Sequence, residues 1–382
     1  MKRFGFQKKK YTLLGSDITE TLDILETLRL EYNYESIEIP GIVVTGSQSS
    51  GKSSVLQSIS GIQLPSGTNI TTRVPIIIRC VKINDDITPY VLINDSEKIN
   101  IDETSSKILE YTKTLAGTND EVSDNPLFLK VFQHDIPNMT LIDLPGITHL
   151  SVNDIQEDIH EKTVNLVRKY IENPNIIIIC VIPSIDDFSN AECLKLASEV
   201  DPKKSRTIGV VTKVDLSPYD ITDKLKGLGK NINLNLGFVG VVNNGPDQPF
   251  TKIKNLRKQE EEYFLKNYST LDKSLWGTET LVKQLVGLQT TFLESSIPEI
   301  ISKVETHIYQ TQKELDIYKS QFKDSHEKFS FTISKIYIIK EHYQKTIDMS
   351  SSLNTFFSDY KSKLISQKPV YTDKSYSNKI QS

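Results

Sequence analysis

Residues 46–53 have the types and the spacing that bind nucleotide phosphates. They read Gly-Ser-Gln-Ser-Ser-Gly-Lys-Ser, which is a glycine, four residues and Gly-Lys-Ser. Glycines let backbone N–H groups turn toward phosphate oxygens, and a helix beginning at the loop adds its positive dipole end. Lys52 is expected to reach the terminal phosphates and Ser53 to place its hydroxyl on Mg²⁺. The predicted contacts are Gly46, Ser47, Gln48, Ser49, Ser50, Gly51, Lys52, Ser53 and Ser54.

The alternative for this segment is a Gly/Ser-rich turn that matches by accident. It is disfavoured because an apolar run at 42–44 precedes the loop and a helix-forming stretch at 54–59 follows it. Asp143-Leu144-Pro145-Gly146 follows a second apolar run, so Asp143 is expected to hold Mg²⁺ through water and Gly146 to offer an N–H to the last phosphate. A threonine should also reach Mg²⁺; Thr72 is the first choice and Thr71 the rival.

Thr212-Lys213-Val214-Asp215 follows the apolar run 208–211 and predicts which base is bound. Guanine presents two donors side by side, N1–H and the N2 amino group, and one carboxylate accepts both. Adenine would leave Asp215 unsatisfied at a cost of about 1–3 kcal/mol, which argues against an ATPase or kinase. The stem of Lys213 can cover the ring. The base contacts are expected to include Thr212, Lys213, Val214, Asp215, Val242, Asn243 and Asn244.

The residue that orients the attacking water is not supplied in the usual place. Small GTPases carry a glutamine directly after the Asp-x-x-Gly turn, and here that position is Ile147. An isoleucine cannot hydrogen-bond to water. Gln48 and Ser49 of the phosphate loop are polar and close to the expected last phosphate. The predicted catalytic set is therefore Gln48, Ser49, Thr72 and Gly146.

Composition limits the class of protein. The 382 residues carry a net charge of −4 with 25% charged residues, so no nucleic-acid partner is predicted. Residues 301–382 hold thirteen Lys and nine acidic residues, a mildly basic segment most simply explained as a solvated helix face. Three cysteines indicate no disulfide framework and favour a reducing, cytoplasmic compartment. The longest apolar run, 176–182, is too short to cross a membrane.

Strands and helices alternate from about residue 36, which predicts an α/β fold with a mainly parallel sheet covered by helices. The clearest helices are 154–172 and 189–200, and the polar stretch 94–125 is interpreted as an insertion or exposed helix. The predicted strands are 41–45, 74–83, 90–93, 127–133, 139–142, 176–182, 207–211 and 238–242.

Helical periodicity flanks this region on both sides. Residues 11–33 are predicted to form one helix, and 297–322 carry an apolar stripe at helical spacing with Pro298 as a start, kink or hinge. The predicted division is 1–34, a tail and bundle helix; 35–279, the nucleotide domain; 280–298, a bundle helix and hinge; and 299–382, an incomplete helical stalk.

The motifs together resemble the dynamin superfamily of large GTPases, with wording closest to its Mx-like and plant dynamin-related branches. The resemblance covers about residues 12–320. The matching pieces are 46–56, 72–75, 141–147, 199–202 and 206–215.

The resemblance implies GTP hydrolysis to GDP with Mg²⁺ and an activating K⁺ or Na⁺. Gln48 and Ser49 would position water and that cation, and Ser66-Gly67 would close over the nucleotide. Two copies would pair face to face across their nucleotides, with the segment around Asp201-Pro202 near the partner's site. Higher homo-oligomers would form through the stalk, with peripheral membrane association and a role in membrane remodelling, fission or vesicle trafficking.

Three departures qualify the resemblance. Asn244 stands where some members have a base-contacting Arg or Lys, and Pro218 where several have a ribose-contacting Asp. The chain is also too short for the family's whole stalk, so it is expected to be a fragment or a reduced member. Its apolar stripe is then expected to be exposed or buried by another copy. The alternative function is a nucleotide-gated assembly or scaffold module, Mx-like, with slow hydrolysis.

Overall fold

The computed structural model describes residues 40–65, 72–95, 97–116, 122–147, 154–228, 233–243, 253–320, 329–330 and 332–337. Only the backbone is described for 154–158 and 318–320. The predictions made for the helix over 11–33 and for Ser66, Gly67, Thr71 and Asn244 lie outside the described residues.

In the described residues, nine strands form one sheet. They are β1 (Gly41–Gly46), β2 (Ile76–Lys82), β3 (Tyr90–Ile93), β4 (Glu97–Ile99), β5 (Leu127–Gln133), β6 (Met139–Asp143), β7 (Ile176–Pro183), β8 (Thr207–Thr212) and β9 (Phe238–Gly240). Their order is β4-β3-β5-β2-β6-β1-β7-β8-β9. The five strands from β6 to β9 run parallel, β2 pairs antiparallel with β6 and parallel with β5, and β3 is antiparallel to both its neighbours. The predicted α/β fold class is confirmed.

The central strands are covered on both faces. All six residues of β1 and all eight of β7 are buried. Alternate residues enter two separate apolar clusters: Ile42 and Ile177 belong to one, and Val43 and Ile178 to the other. Continuous apolar runs are what such doubly covered strands require, which is why the sequence identified them.

Seven α-helices accompany the sheet in the described residues. They are α1 (Lys52–Ser60), α2 (Thr104–Ala116), α3 (Asp154–Ile171), α4 (Glu192–Val200), α5 (Thr222–Leu225), α6 (Ile253–Asn267) and α7 (Thr278–Ser320). The helices predicted at 154–172 and 189–200 are present, although the second begins later because Phe188–Asn190 forms a 3-10 turn.

Two predicted strand ends are wrong by two residues, and the other ends agree to within one residue. β2 begins at Ile76 rather than Val74, and the preceding Pro75 has no N–H to donate to a ladder. β9 ends at Gly240 rather than Val242, because the Val242 N–H donates to the Glu260 side chain at 2.9 Å. The stretch 94–125 holds a strand, β4, as well as the helix α2, so describing it only as an insertion or helix was incomplete.

Helix α7 runs for 43 residues with Pro298 inside it. Proline has no N–H for the hydrogen bond to the carbonyl four residues earlier, and its predicted role as a hinge stays a prediction. The apolar side chains Ile301, Ile308 and Leu315 on this helix are 37, 61 and 44% exposed. The predicted stripe is thus uncovered at these positions.

The chain divides into two compact units, Met1–Lys303 and Val304–Ser382. The predicted domain boundaries at residues 34, 279 and 298 remain predictions. Among the residues that the structure describes, no helix is both long and apolar enough to cross a membrane. The three cysteines, Cys80, Cys180 and Cys193, are free thiols and all are buried.

Candidate nucleotide-binding site

The predicted phosphate loop joins the end of β1 to the start of α1. Gly46 has no room for a side chain, because a Cβ there would lie 2.5 Å from the carbonyl oxygen of Val181. Gly51 adopts φ +98°, in the region that favours glycine. Ser49 has φ 60° and is exposed at the tip of the loop. The loop is therefore tightly constrained at its two glycines, and Ser49 lies exposed between them.

Lys52 is held inside this loop. Its Nζ donates to the carbonyl oxygens of Gly46 at 3.1 Å and Ser47 at 2.9 Å, and the residue is only 7% exposed. Burial lowers the pKa of Lys52, while the nearby Asp143 carboxylate acts in the opposite direction. A buried ammonium at the centre of a ring of backbone groups is suited to an anionic ligand.

Asp143 and Thr72 meet although they are 71 residues apart. The Thr72 hydroxyl donates to Asp143 Oδ2 at 3.2 Å. Antiparallel pairing of β2 with β6, in which Ile76 lies opposite Asp143, brings the start of one strand to the end of the other. Asp143 is 1% exposed, and its Oδ1 has no hydrogen-bond partner in the described part of the chain. A buried carboxylate with a spare oxygen beside a hydroxyl fits a hard divalent cation such as Mg²⁺.

The electrostatic environment of Asp143 also suits a bound cation. Burial raises the pKa of Asp143 to about 6, while the Lys52 charge and the Thr72 hydrogen bond act to lower it. Desolvation therefore outweighs both favourable contacts. A bound cation would replace the lost hydration of this carboxylate.

The segment after Asp143 is fastened to the phosphate loop by its backbone. Ile147 N donates to Gly46 O at 3.1 Å, and Gln48 N donates to Ile147 O at 3.0 Å. A Cβ on Gly146 would lie 2.8 Å from Lys52 Nζ and 3.0 Å from the backbone Cα of Gln48, so a larger residue would displace the lysine and crowd the loop. The Ile147 side chain is 2% exposed and belongs to an apolar cluster. Its side chain is thus part of the core.

Thr212 connects the expected base motif to the phosphate loop. Its Oγ1 donates to Ser50 O at 2.5 Å. Lys213 takes the left-handed φ of 55°, and its carbonyl accepts a hydrogen bond from Ser184 Oγ at 2.6 Å. Asp215 is exposed beyond the end of β8, whereas Val214 is buried. The carboxylate is thus free to meet a base while its neighbours fix the turn.

The last described base-contact candidates follow β9. Val242 and Asn243 are half-buried, and Asn243 Nδ2 is a buried donor with no hydrogen-bond partner among the described residues. Buried donors are normally satisfied, so this amide is suited to a ligand acceptor.

The described candidates gather at one edge of the sheet. β1, β6, β8 and β9 end there together because they run parallel, and the carboxyl edge of such a sheet is where ligands bind. Ser53 and Ser54 lie in the first turn of α1, whereas Ser50, Leu144 and Pro145 are buried and can offer mainly backbone groups. The individual residue roles remain predictions.

Asp201 lies away from the nucleotide edge of its own sheet. Its carboxylate accepts from Arg206 N at 3.0 Å and Thr207 Oγ1 at 2.8 Å, so it lies where β8 begins. The nucleotide edge is at the other end of β8, about 16 Å away at 3.3 Å per residue. Asp201 is 4% exposed and braces its own loop, and its expected place near the site of a second copy stays a prediction.

Two residues that support the candidate site could not be identified from the sequence. Ser184 supports the Lys213 turn from the end of β7. Glu260 lies 4% exposed in α6 and accepts the Val242 N–H. Glu260 lies within the polar run 257–262, which is indistinguishable in sequence from a solvated helix face.

Fold and site together define a phosphate-loop nucleotide-binding protein, and comparison with known sequences gives its family. Residues 42–214 match the profile of the Dynamin family, and residues 220–367 match the Dynamin central region. The chain is 36% identical over 251 residues to a protein described as dynamin-related protein 4A of Arabidopsis thaliana, which covers 65% of this chain and 81% of the relative. This chain belongs to the dynamin family, as its motifs predicted.

Other relatives extend further than this chain. Dynamin-related protein DNM1 of Saccharomyces cerevisiae is 33% identical over 391 aligned positions, covering 89% of this chain and 51% of the relative. Dynamin-A of Dictyostelium discoideum is 34% identical over 348 positions, covering 87% and 40%. The chain thus spans about half the length of curated relatives of this kind.

Proposed function

We propose that this chain binds Mg²⁺ and GTP and hydrolyses GTP to GDP and phosphate. The observation that carries the proposal is the buried Asp143 carboxylate, which accepts the Thr72 hydroxyl at 3.2 Å beside the loop-bound Lys52. Guanine selectivity is supported by the exposed Asp215 at the end of β8, whose strand is joined to the phosphate loop by Thr212. Membership of the dynamin family supports the same activity.

Each site residue has its own role in this proposal. Ser53, Thr72 and, through water, Asp143 would hold Mg²⁺, which when bound neutralises charge on the phosphates. Lys52 binds the terminal phosphates. Gly146 offers its N–H to the last of them.

The attacking water is held by the phosphate loop in this proposal. Gln48 and Ser49 orient the water and an activating K⁺ or Na⁺, and Ser66-Gly67 closes over the nucleotide. Two observations support this division: Ile147 is buried in the core, and Ser49 is exposed on the loop.

We further propose that two copies pair across their nucleotides. Three large apolar side chains near the ends of β7 and β8, Ile185, Leu216 and Tyr219, are 57, 65 and 80% exposed. Burial of such side chains by a second copy would stabilise a dimer. Higher oligomers would use the helical region that includes α7. The wider role is membrane remodelling, fission or vesicle trafficking by a cytoplasmic protein that binds membranes peripherally.

Turnover per molecule, measured against protein concentration in K⁺, Na⁺ and a larger organic cation, tests the proposal. We expect turnover to rise with concentration and to require K⁺ or Na⁺. Lys52→Ala should abolish GTP binding. Ser49→Ala should bind GTP but hydrolyse it about 10²-fold more slowly, with Ser106→Ala on the exposed face of α2 as the matched control.

The second candidate is a nucleotide-gated assembly module with slow hydrolysis, which the exposed apolar side chains of α7 favour. Tight GTP binding, flat and negligible turnover, and GTP-dependent self-association would support this module and refute the enzyme. A fully active Ser49→Ala would refute the catalytic assignment alone.

A further inference from the structure

One carboxylate joins the expected base-binding loop to the helix that follows the nucleotide domain. Glu260 Oε1 accepts the Val242 N–H at 2.9 Å and the Thr278 hydroxyl at 3.2 Å. Its Oε2 accepts the Thr278 N–H at 2.7 Å. Oε1 thus accepts hydrogen bonds from both Val242 and Thr278. A displacement of Val242 that moves the carboxylate therefore also changes its hydrogen bonds to Thr278.

This contact has one end beside a candidate base-binding residue and the other at the start of α7. Val242 directly precedes Asn243, whose Nδ2 is a buried donor with no hydrogen-bond partner in the described chain. Thr278 is the first residue of α7, where N–H groups have no partner within the helix and negative charge is favourable. Glu260 therefore supplies an N-terminal cap to α7 from another helix, α6.

The backbone reinforces the same connection. Gly277 N donates to Gly240 O at 2.8 Å, and Trp276 forms a parallel bridge with Gly240. The end of β9 is thus hydrogen-bonded to the segment that leads into α7. This backbone contact fixes β9, whereas the loop beyond it at Val242 and Asn243 reaches α7 through Glu260.

The chemistry of Glu260 suits a connection that responds to its surroundings. Burial raises the pKa of Glu260 to about 7, and the three hydrogen bonds and the Arg257 charge act to lower it. The carboxylate has little solvent to replace a lost donor, since the residue is 4% exposed. Loss of one hydrogen bond therefore destabilises the charged form of Glu260 and weakens its remaining hydrogen bonds.

We propose that Glu260 is a positioning residue that transmits occupancy of the guanine site to the first turn of α7. The inference rests on the proposed function, because it requires a guanine nucleotide at Asn243. Ligand binding that orders the loop at 242–243 strengthens the Val242 contact with Glu260. The Thr278 contact is then strengthened as well, and the start of α7 becomes more stable.

Hydrogen exchange of the first-turn amides of α7, measured in the full chain with and without GDP, tests this. In the wild type we expect GDP to slow exchange there about tenfold or more, within the range typical of coupling between sites. Thr278→Pro removes the N–H and hydroxyl that Glu260 binds, and proline is tolerated at a first helical position. This variant should still bind GDP, but the GDP effect at α7 should fall below about twofold.

Glu260→Gln should likewise reduce the GDP effect at α7, and it should also speed GDP dissociation. The substitution replaces one carboxylate oxygen by an NH2 group, which cannot accept a hydrogen bond from the N–H that faces it. Glu262→Gln, exposed on the same helix, is the matched control. If Glu260→Gln does not fold, Thr278→Pro still decides the question. An unchanged GDP effect at α7 in Thr278→Pro overturns the inference while leaving the proposed function intact. A wild type that does not bind GDP refutes the proposed function itself.

Discussion

Replacing Ile147 by glutamine gives this chain the residue that small GTPases carry after the Asp-x-x-Gly turn, and we expect it to impair the protein. The Ile147 side chain is 2% exposed in an apolar cluster. Its N–H and C=O are both bound to the phosphate loop. The backbone therefore cannot turn the new side chain toward the nucleotide without breaking two hydrogen bonds.

The cost follows from burial. Loss of the isoleucine removes about 1.5–3 kcal/mol of apolar burial, and an unpaired buried amide costs about 1–3 kcal/mol. The expected loss in the free energy of unfolding for Ile147→Gln is thus about 2.5–6 kcal/mol. Ile147→Val, which keeps an apolar side chain, should cost about 0.5–1.5 kcal/mol.

Urea denaturation gives the free energy of unfolding, and single-turnover hydrolysis at saturating GTP gives the chemical rate. We expect Ile147→Gln to be the less stable variant and to hydrolyse GTP no faster than the wild type. Wild-type stability together with faster turnover in Ile147→Gln would refute the placement of this side chain and the proposal that the phosphate loop holds the water.

Three further predictions concern pH and packing. Because burial raises the pKa of Asp143 from 3.8 to about 6, affinity for Mg²⁺–GDP, measured by fluorescence titration, should weaken as pH falls below 6. An affinity independent of pH would contradict the raised pKa. The same shift makes the contribution of Asp143 to the free energy of unfolding decrease as pH rises from 3.8 to 6. Gly209→Ala should destabilise by about 1–3 kcal/mol, because its Cβ would meet the Phe238 ring; Phe238→Leu should partly restore the melting temperature. Arg206→Lys should cost about 2–4 kcal/mol in urea denaturation, since the guanidinium donates to three backbone carbonyls, two of them in buried hydrogen bonds; wild-type stability would show that these bonds add nothing.

The sequence predicted those parts of the fold where local pattern and tertiary environment agree. β7 is a continuous apolar run and is buried throughout. Helix α2 was less clear, because two of its four buried residues are threonines, Thr104 and Thr112. Their polarity disguises a buried face that repeats every four residues.

The phosphate loop was recognisable for the same reason. Glycines and a lysine at this spacing are what phosphate contact requires, so the spacing identified the loop together with the apolar run before it and the helix after it. The roles of its residues stay predictions. Glu260 could not be found, because its role depends on Val242 and Thr278, each 18 residues away and on separate elements. The place of Asp201 at the start of β8 could not be predicted either, because a motif gives a position in the sequence without stating at which end of a strand it lies.

The hydrogen bond from Thr212 to Ser50 has a consequence for synthesis. It links the phosphate loop to a residue 162 positions later in the chain. At about 5–20 residues per second, the ribosome needs roughly 8–32 s to add that stretch. A nascent chain therefore carries its complete phosphate-loop sequence well before the brace for that loop exists, and its ability to retain nucleotide should appear only after β8 has emerged.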